Sequence, residues 1–160
     1  MTLTKGDFEF NFDTALDAIE LGEIATQGHS NMDLVDFVVD YEDRYLFVAV
    51  LDPDGQNLRK KDLRSERLCD RLARKYRDSL FFHVFGEREP KDIEYAVLFT
   101  PKGIDPVLVM VLQDELKRRM PFSHPAWLRD SAAACTIMDV SQWKKRYGDD
   151  SVRCLSKGEE

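Results

Sequence analysis

The sequence has no long apolar stretch. One of its longest apolar runs, Val107–Leu112, falls far below the roughly 18 residues that a membrane-spanning helix requires. The first residues, Met1–Asp7, also lack the basic start and the apolar segment of a secretory signal peptide. We therefore expect no membrane association.

Cysteine, histidine and tryptophan are scarce. Three widely scattered cysteines argue against both a disulfide framework and a zinc site, and free thiols suit a reducing cytoplasm, where we expect the protein to reside. These cysteines are Cys69, Cys135 and Cys154. The three histidines lie far apart, without ligand-like spacing, and no glycine-rich phosphate loop is present. Each of the two tryptophans, Trp127 and Trp143, could fill the core or anchor a partner.

The sequence has fewer positively charged than negatively charged residues. The chain carries 30 Asp and Glu against 23 Lys and Arg, a net charge of −7, so its surface as a whole disfavours polyanions. Any nucleic-acid site must therefore be a local basic patch.

With 160 residues, the chain is long enough for one domain with a real core. We expect a single domain over residues 1–160, with 1–33 as an N-terminal arm and loop and 156–160 as a frayed tail.

What the sequence does contain is a pair of strand patterns joined by a short charged turn. Leu34–Asp40 and Tyr45–Pro53 are largely apolar on both faces, which predicts neighbouring strands inside a covered sheet. Tyr41–Arg44 supplies the turn between them. Asp36 is therefore a carboxylate placed inside an otherwise apolar strand.

The remaining patterns alternate between helix and strand. A helix of about twenty residues is predicted between Ser65 and Gly86, because apolar residues recur every four positions over Leu68–Leu80. A second helix, with proline at its first position, is predicted from Asp105 to about Met120. The other predicted elements are an aromatic strand or arm over Phe8–Phe12, a brief helical turn after Asp13, loops over Gly22–Ser30 and Gln56–Arg64, a turn at Asp52–Gly55, strands over Ile93–Thr100, Ala132–Val140 and Val152–Leu155, and a helix over Ser141–Tyr147. This order fits a mixed sheet covered by helices.

These segments resemble the PD-(D/E)xK nuclease-like superfamily, and more narrowly a bacterial group of unknown function with a degenerate active-site motif. The segments that carry the resemblance are Val35–Val39, the charged turn, Tyr45–Pro53, the aromatic arm Phe8–Phe12 and the helix segment Lys75–Phe81. The resemblance implies a restriction-endonuclease-like α/β fold, with a mixed central sheet flanked by helices. It also implies that Asp36 stands at the first metal-ligand position.

The departure from the superfamily lies on the second strand. Such nucleases need carboxylates that hold a hard cation such as Mg²⁺, and a lysine that stabilises charge developing at the phosphate. The superfamily pattern places Glu-x-Lys where this chain has Ala49 and Leu51. Losing both groups should remove most of the hydrolytic rate, because they act through one metal centre. Asp36 is then either a vestigial metal position or a strand aspartate that is hydrogen-bonded locally or faces water, and no cofactor is expected.

Residues on the following helix offer an alternative. Glu66 and Lys75 could migrate into the site around Asp36, as residues sometimes do in this superfamily. In that case Mg²⁺ would be the cofactor and the chain would be an active metal-dependent nuclease.

One face of the same helix is basic. Arg67, Arg71 and Arg74 follow one side of it, and such a stripe can track a phosphate backbone. Acidic residues are interspersed among these arginines, which equally fits an ordinary solvated helix face.

The sequence thus predicts a catalytically degenerate nuclease-like protein that works as a macromolecule-binding or interaction module. Its partner is a protein or a nucleic acid, and the sequence does not decide between them. The oligomeric state is open as well. The alternative is an active nuclease with relocated catalytic residues around Asp36.

Overall fold

The computed structural model describes residues 1–22, 31–52, 66–101 and 105–156. Its strands are β1 (Thr2–Lys5), β2 (Phe8–Asn11), β3 (Asp17–Glu20), β4 (Phe37–Asp40), β5 (Arg44–Leu51), β6 (Asp92–Phe99), β7 (Ala134–Asp139) and β8 (Val152–Cys154). Its helices are α1 (Glu66–Phe85), α2 (Pro106–Arg118) and α3 (Val140–Tyr147). None of the described helices is both long and apolar enough to cross a membrane.

Five of the strands form a mixed central sheet in the order β3-β4-β5-β6-β7. The pairs β3–β4 and β4–β5 are antiparallel, whereas β5–β6 and β6–β7 are parallel. The parallel pairs require crossover connections, which contain α1 and α2. The predicted α/β architecture, a mixed central sheet flanked by helices, is confirmed.

One face of this sheet packs against α1 and α2. Rings from the sheet and from α1 meet there, with Phe47 5.5 Å and Tyr95 4.8 Å from Tyr76 between ring centroids. The buried Tyr95 hydroxyl donates a hydrogen bond to the Leu72 carbonyl at 2.9 Å. Burial raises the pKa of Tyr95, so this phenol stays protonated and remains a donor.

A second, smaller sheet in the order β1-β2-β8 packs with α3 against the opposite face. The predicted aromatic arm lies here, since β2 places Phe10 at ring-centroid distances of 5.4 Å from Phe37 and 5.6 Å from Trp143. Trp143 is fully buried, whereas Trp127 is 43% exposed. The structure thus assigns Trp143 to the core and leaves Trp127 at the surface.

The helix boundaries follow the predicted signals closely. α1 has 20 residues and ends directly before Gly86; of its predicted apolar stripe, Leu68, Leu72 and Tyr76 are buried and Leu80 is partly buried. The Asp105 side chain accepts a hydrogen bond from the Val107 N–H and begins α2. Asp139 and Gln142 form a capping box that begins α3.

The helical turn predicted after Asp13 is wrong. Asp17–Glu20 form β3, which pairs with β4 so that Ala18 opposes Val39 and Ile19 opposes Val38. Ala18 and Ile19 pack on opposite faces of the sheet. Strand pairing and two-sided packing therefore outweigh the local helix preference of this segment.

Several predictions fall outside the described residues. They are most of the Gly22–Ser30 loop, the Asp52–Gly55 turn beyond Asp52, the Gln56–Arg64 loop, the Ser65 cap and most of the 156–160 tail. The strand predicted over Val152–Leu155 is present as β8 and joins the small sheet.

Candidate functional site

Asp36 lies directly before β4, and its carboxylate is buried. The residue is 6% exposed. Its Oδ2 atom accepts a hydrogen bond from the Val50 N–H at 2.7 Å, while its own N–H donates to the Val48 carbonyl at 2.9 Å. The side chain thus extends the pairing of β4 with β5, because its carboxylate acts where a main-chain carbonyl would otherwise accept.

The other carboxylate oxygen of Asp36 faces a cation from the small sheet. The ammonium group of Lys5, at the end of β1, lies 3.1 Å from Asp36 Oδ1. The Lys5 side chain is 38% exposed and the Asp36 side chain 7%, so the pair stands at the rim of the core. The contact ties the N-terminal hairpin to the large sheet. Sequence reasoning missed Lys5, because no local pattern relates it to Asp36.

A second carboxylate, Asp52, follows the end of β5. The Thr100 hydroxyl donates a hydrogen bond to Asp52 Oδ1 at 3.0 Å. Asp52 Oδ2 approaches Gly6, where an added Cβ would stand 3.6 Å from it. Gly6 has a φ of +57°, a conformation that glycine adopts without a steric cost. The β1–β2 turn therefore reaches over this end of β5.

Ala49 and Leu51, where the resemblance would place Glu-x-Lys, lie on the face of β5 that α1 and α2 cover. They are 1% and 3% exposed and belong to the apolar cluster beneath α1 and α2. These hydrocarbon side chains do not fit a Mg²⁺ centre, which needs oxygen ligands. Across the described ranges, no three or more His, Cys, Asp or Glu side chains are grouped so that they could hold a metal ion.

Of the two residues that could replace the missing groups near Asp36, only Lys75 has a described side chain. The ammonium group of Lys75 lies 3.3 Å from Asp33 Oδ1 and 3.4 Å from the Leu34 carbonyl oxygen. Lys75 therefore contacts the chain just before Asp36, and its recorded partners do not include the Asp36 carboxylate. The side chain of Glu66 lies outside the described residues.

The arginines of the predicted nucleic-acid stripe are all exposed on α1. Arg71 lies 3.9 Å from the carboxylate of Asp33, and Arg74 lies 3.5 Å from that of Asp78. Arg74 also donates a hydrogen bond to the Asn31 carbonyl at 2.9 Å. Two of the three arginines thus hold the segment before β4 against α1. Arg67 has no ion-pair partner among the described residues.

The end of α1 carries an exposed apolar group that sequence reasoning missed. We call it the α1 patch; its members, with their exposed fractions, are Phe81 (59%), Phe82 (38%), Val84 (62%) and Phe85 (72%). The rings of Phe81 and Phe85 lie 4.6 Å apart between centroids. The run Leu80–Phe85 was the available signal, because a helix that buries one stripe cannot bury so many adjacent apolar residues.

His83, between these exposed residues, turns inward. Its ring packs at 4.4 Å from the Tyr45 ring and 5.4 Å from the Phe47 ring. Burial lowers the pKa of His83, and the nearby Arg88 lowers it further, whereas Asp40 acts in the opposite direction. The neutral imidazole is therefore the form that this packing favours.

Comparison with solved structures finds a similarity to the small subunit of the heterodimeric restriction endonuclease R.BspD6I. The sequence identity is 18% and the TM-score 0.41, over 85% of this chain. This chain spans 60% of that subunit. No protein-family model and no curated protein matches the chain.

The Asp36 contacts lead to a stability prediction. Asp36→Ala should lower the free energy of unfolding by about 1–3 kcal/mol, because it removes the carboxylate that accepts from the Val50 N–H. Lys5→Ala should cost about 1 kcal/mol or less, since its ammonium group is partly in water. Urea unfolding at equilibrium measures both values. A larger loss for Lys5→Ala than for Asp36→Ala would contradict this assignment.

The packing of His83 predicts a pH dependence of stability. The unfolded chain binds a proton on this imidazole near pH 6.5, whereas the folded chain does so only at lower pH. The stabilising difference is therefore present above pH 6.5 and is lost as the pH falls through the lower pKa of the folded state.

Urea midpoints between pH 7.5 and pH 5 measure this dependence. His83→Gln should flatten the decline in that window. The matched control is His124→Gln, at an exposed histidine, which should leave the decline unchanged. A decline of the same size in wild type and His83→Gln would contradict the prediction.

Proposed function

We propose that this chain is a nuclease-like protein without a working hydrolytic centre, and that it acts as a protein-interaction module. The α1 patch is the observation that carries the proposal. Contiguous apolar side chains of this size are costly to leave in water, and large exposed groups of them commonly mark contact sites. Aromatic residues are also the side chains that contribute most to protein interfaces.

The surroundings of Asp36 support the loss of hydrolysis. One of its oxygens accepts from the Val50 N–H, and the other is ion-paired with Lys5. A metal ion at Asp36 would have to compete with both contacts. Ala49 and Leu51 contribute packing beneath α1 and α2, so substituting them by an acid and a lysine would bury charge in an apolar layer.

The distribution of charge favours a protein over a nucleic acid. The net charge is −7, and two of the three arginines of the α1 stripe face carboxylates of the same chain. A phosphate backbone would have to displace these contacts. The aromatic residues of the α1 patch need no such exchange, because their rings are already exposed.

Partner capture tests the interaction. The double substitution Phe81→Ser and Phe85→Ser should abolish capture of the protein partners that the wild-type chain retains from a lysate of its native cells. The matched control is Val107→Ser with Val111→Ser, two exposed apolar residues of α2, which should retain those partners. Capture that persists in the phenylalanine variant, or that disappears after nuclease treatment of the wild-type sample, would contradict the proposal.

A second candidate function, metal-dependent nucleic-acid cleavage, is favoured by one observation. Lys5 contacts Asp36, and Gly6 of the neighbouring β1–β2 turn lies near Asp52, so a lysine and two carboxylates lie toward the same end of β5.

Incubation with Mg²⁺ or Mn²⁺ and single- or double-stranded DNA and RNA separates the two functions. We expect no cleavage, because the superfamily's acid and lysine are replaced by Ala49 and Leu51. Cleavage by the wild-type chain that is lost in Asp36→Asn would overturn the degenerate assignment. That substitution keeps an oxygen that can accept from the Val50 N–H.

A further inference from the structure

The outer edge of the central sheet opens into a groove. β7 is the last strand in the order β3-β4-β5-β6-β7, and in the described part of the chain no strand pairs with its outer side. Side chains of β7, α2 and α3 enclose about 510 Å³ beside it, which is within the size range of ligand sites. We call this the β7 groove; among the residues that line it are Met110, Gln113, Ile137, Gln142, Lys145 and Arg146.

Backbone groups of alternate β7 residues point away from β6, and of these residues Ile137 lines the groove. The N–H groups of Ile137 and Asp139 both donate away from β6, to Oε1 of Gln113 and of Gln142, each at 3.0 Å. Because the backbone of a strand alternates in direction, the N–H and carbonyl of Cys135 and the carbonyl of Ile137 point the same way. Within the described ranges, these three groups have no hydrogen-bond partner on that side.

The Gln113 side chain stands where a neighbouring strand would be. Its carboxamide has the chemistry of a peptide group, and it accepts from the Ile137 N–H as the carbonyl of an added strand would. It also covers the edge, since Ile137 is 2% exposed. A glutamine side chain can rotate, so an incoming carbonyl can replace Gln113 Oε1 without losing the hydrogen bond at Ile137.

The walls of the groove determine which peptide fits. Met110 is 65% exposed and provides an apolar wall. The lining contains two cations, Lys145 and Arg146, and no acid. The guanidinium group of Arg146 lies 3.9 Å from the Glu94 carboxylate, with which it forms an ion pair. Lys145 is exposed and has no ion-pair partner among the described residues. On a chain of net charge −7, this local positive charge favours an acidic ligand.

We propose that the β7 groove binds an extended acidic segment of a partner protein, which adds a strand to β7 and places a carboxylate against Lys145. The segment's backbone would pair with Cys135 and Ile137, and its apolar side chains would contact Met110. This binding mode uses different elements from the α1 patch, so it goes beyond the proposed function and does not depend on it.

Synthetic peptides test the proposal on the full chain. The probe is a fluorescent, capped peptide of about eight alternating valine and glutamate residues, a common strand length. Its affinity is measured by fluorescence anisotropy beside that of a valine–lysine peptide. We expect the glutamate peptide to bind at least about tenfold more tightly, and Lys145→Glu to reduce that affinity by about tenfold, because like charges then face each other. Equal affinities for the two peptides, or no binding of either, would overturn the proposal.

Two further measurements separate strand addition from simple charge attraction. A glutamate peptide N-methylated at alternate residues keeps its charge but loses backbone donors, and it should bind much more weakly. Gln113→Ala should bind the unmodified peptide more tightly, because its carboxamide no longer competes for the Ile137 N–H. Unchanged affinity of the methylated peptide, or weaker binding by Gln113→Ala, would overturn strand addition. The Phe81→Ser, Phe85→Ser variant is the matched control and should bind the peptide as the wild type does.

Discussion

The contacts of Asp36 join the parts of this molecule that are distant in sequence. One carboxylate oxygen accepts from the Val50 N–H and so holds the start of β4 against the end of β5. The other pairs with Lys5 and so holds the N-terminal hairpin against the same point. Because a buried carboxylate is costly to leave without partners, these two contacts constrain both sheets at once. The packing of Phe10 against Phe37 and Trp143 reinforces that arrangement from the apolar side.

The same contacts bear on function. A carboxylate that ligates a metal needs an oxygen that faces an open, polar site and further ligands that converge on it. Asp36 instead connects the two sheets through its two contacts, and the side chains of Ala49 and Leu51 on β5 lie in the apolar layer beneath α1 and α2. Asp36 thus serves strand pairing and an ion pair, while Ala49 and Leu51 serve packing. The proposed interaction role rests in part on this arrangement.

The surface features that most favour binding lie away from Asp36. The α1 patch exposes aromatic rings, while the β7 groove combines a strand edge that no described strand pairs with and local positive charge. Two of the three α1 arginines that suggested a phosphate contact, Arg71 and Arg74, instead form ion pairs with Asp33 and Asp78. Apolar and backbone groups left without partners are a stronger indication of binding than charges that the chain already pairs internally.

The sequence by itself determined the α/β class, the three helices and the strands β4 to β7, but not β1, β3 or the small sheet. Apolar runs on two faces identified β4 and β5, four-residue recurrence identified α1, and Asp105 with Pro106 located the start of α2, because these signals are local and periodic. It also identified Asp36 as the unusual residue of its strand. Only the tertiary structure decided what Asp36 contacts, since Lys5 and Val50 reach it through sheet packing and strand pairing. The same reason explains β3, where pairing with β4 overrode a local helical pattern, and His83, whose burial depends on Tyr45 from another element.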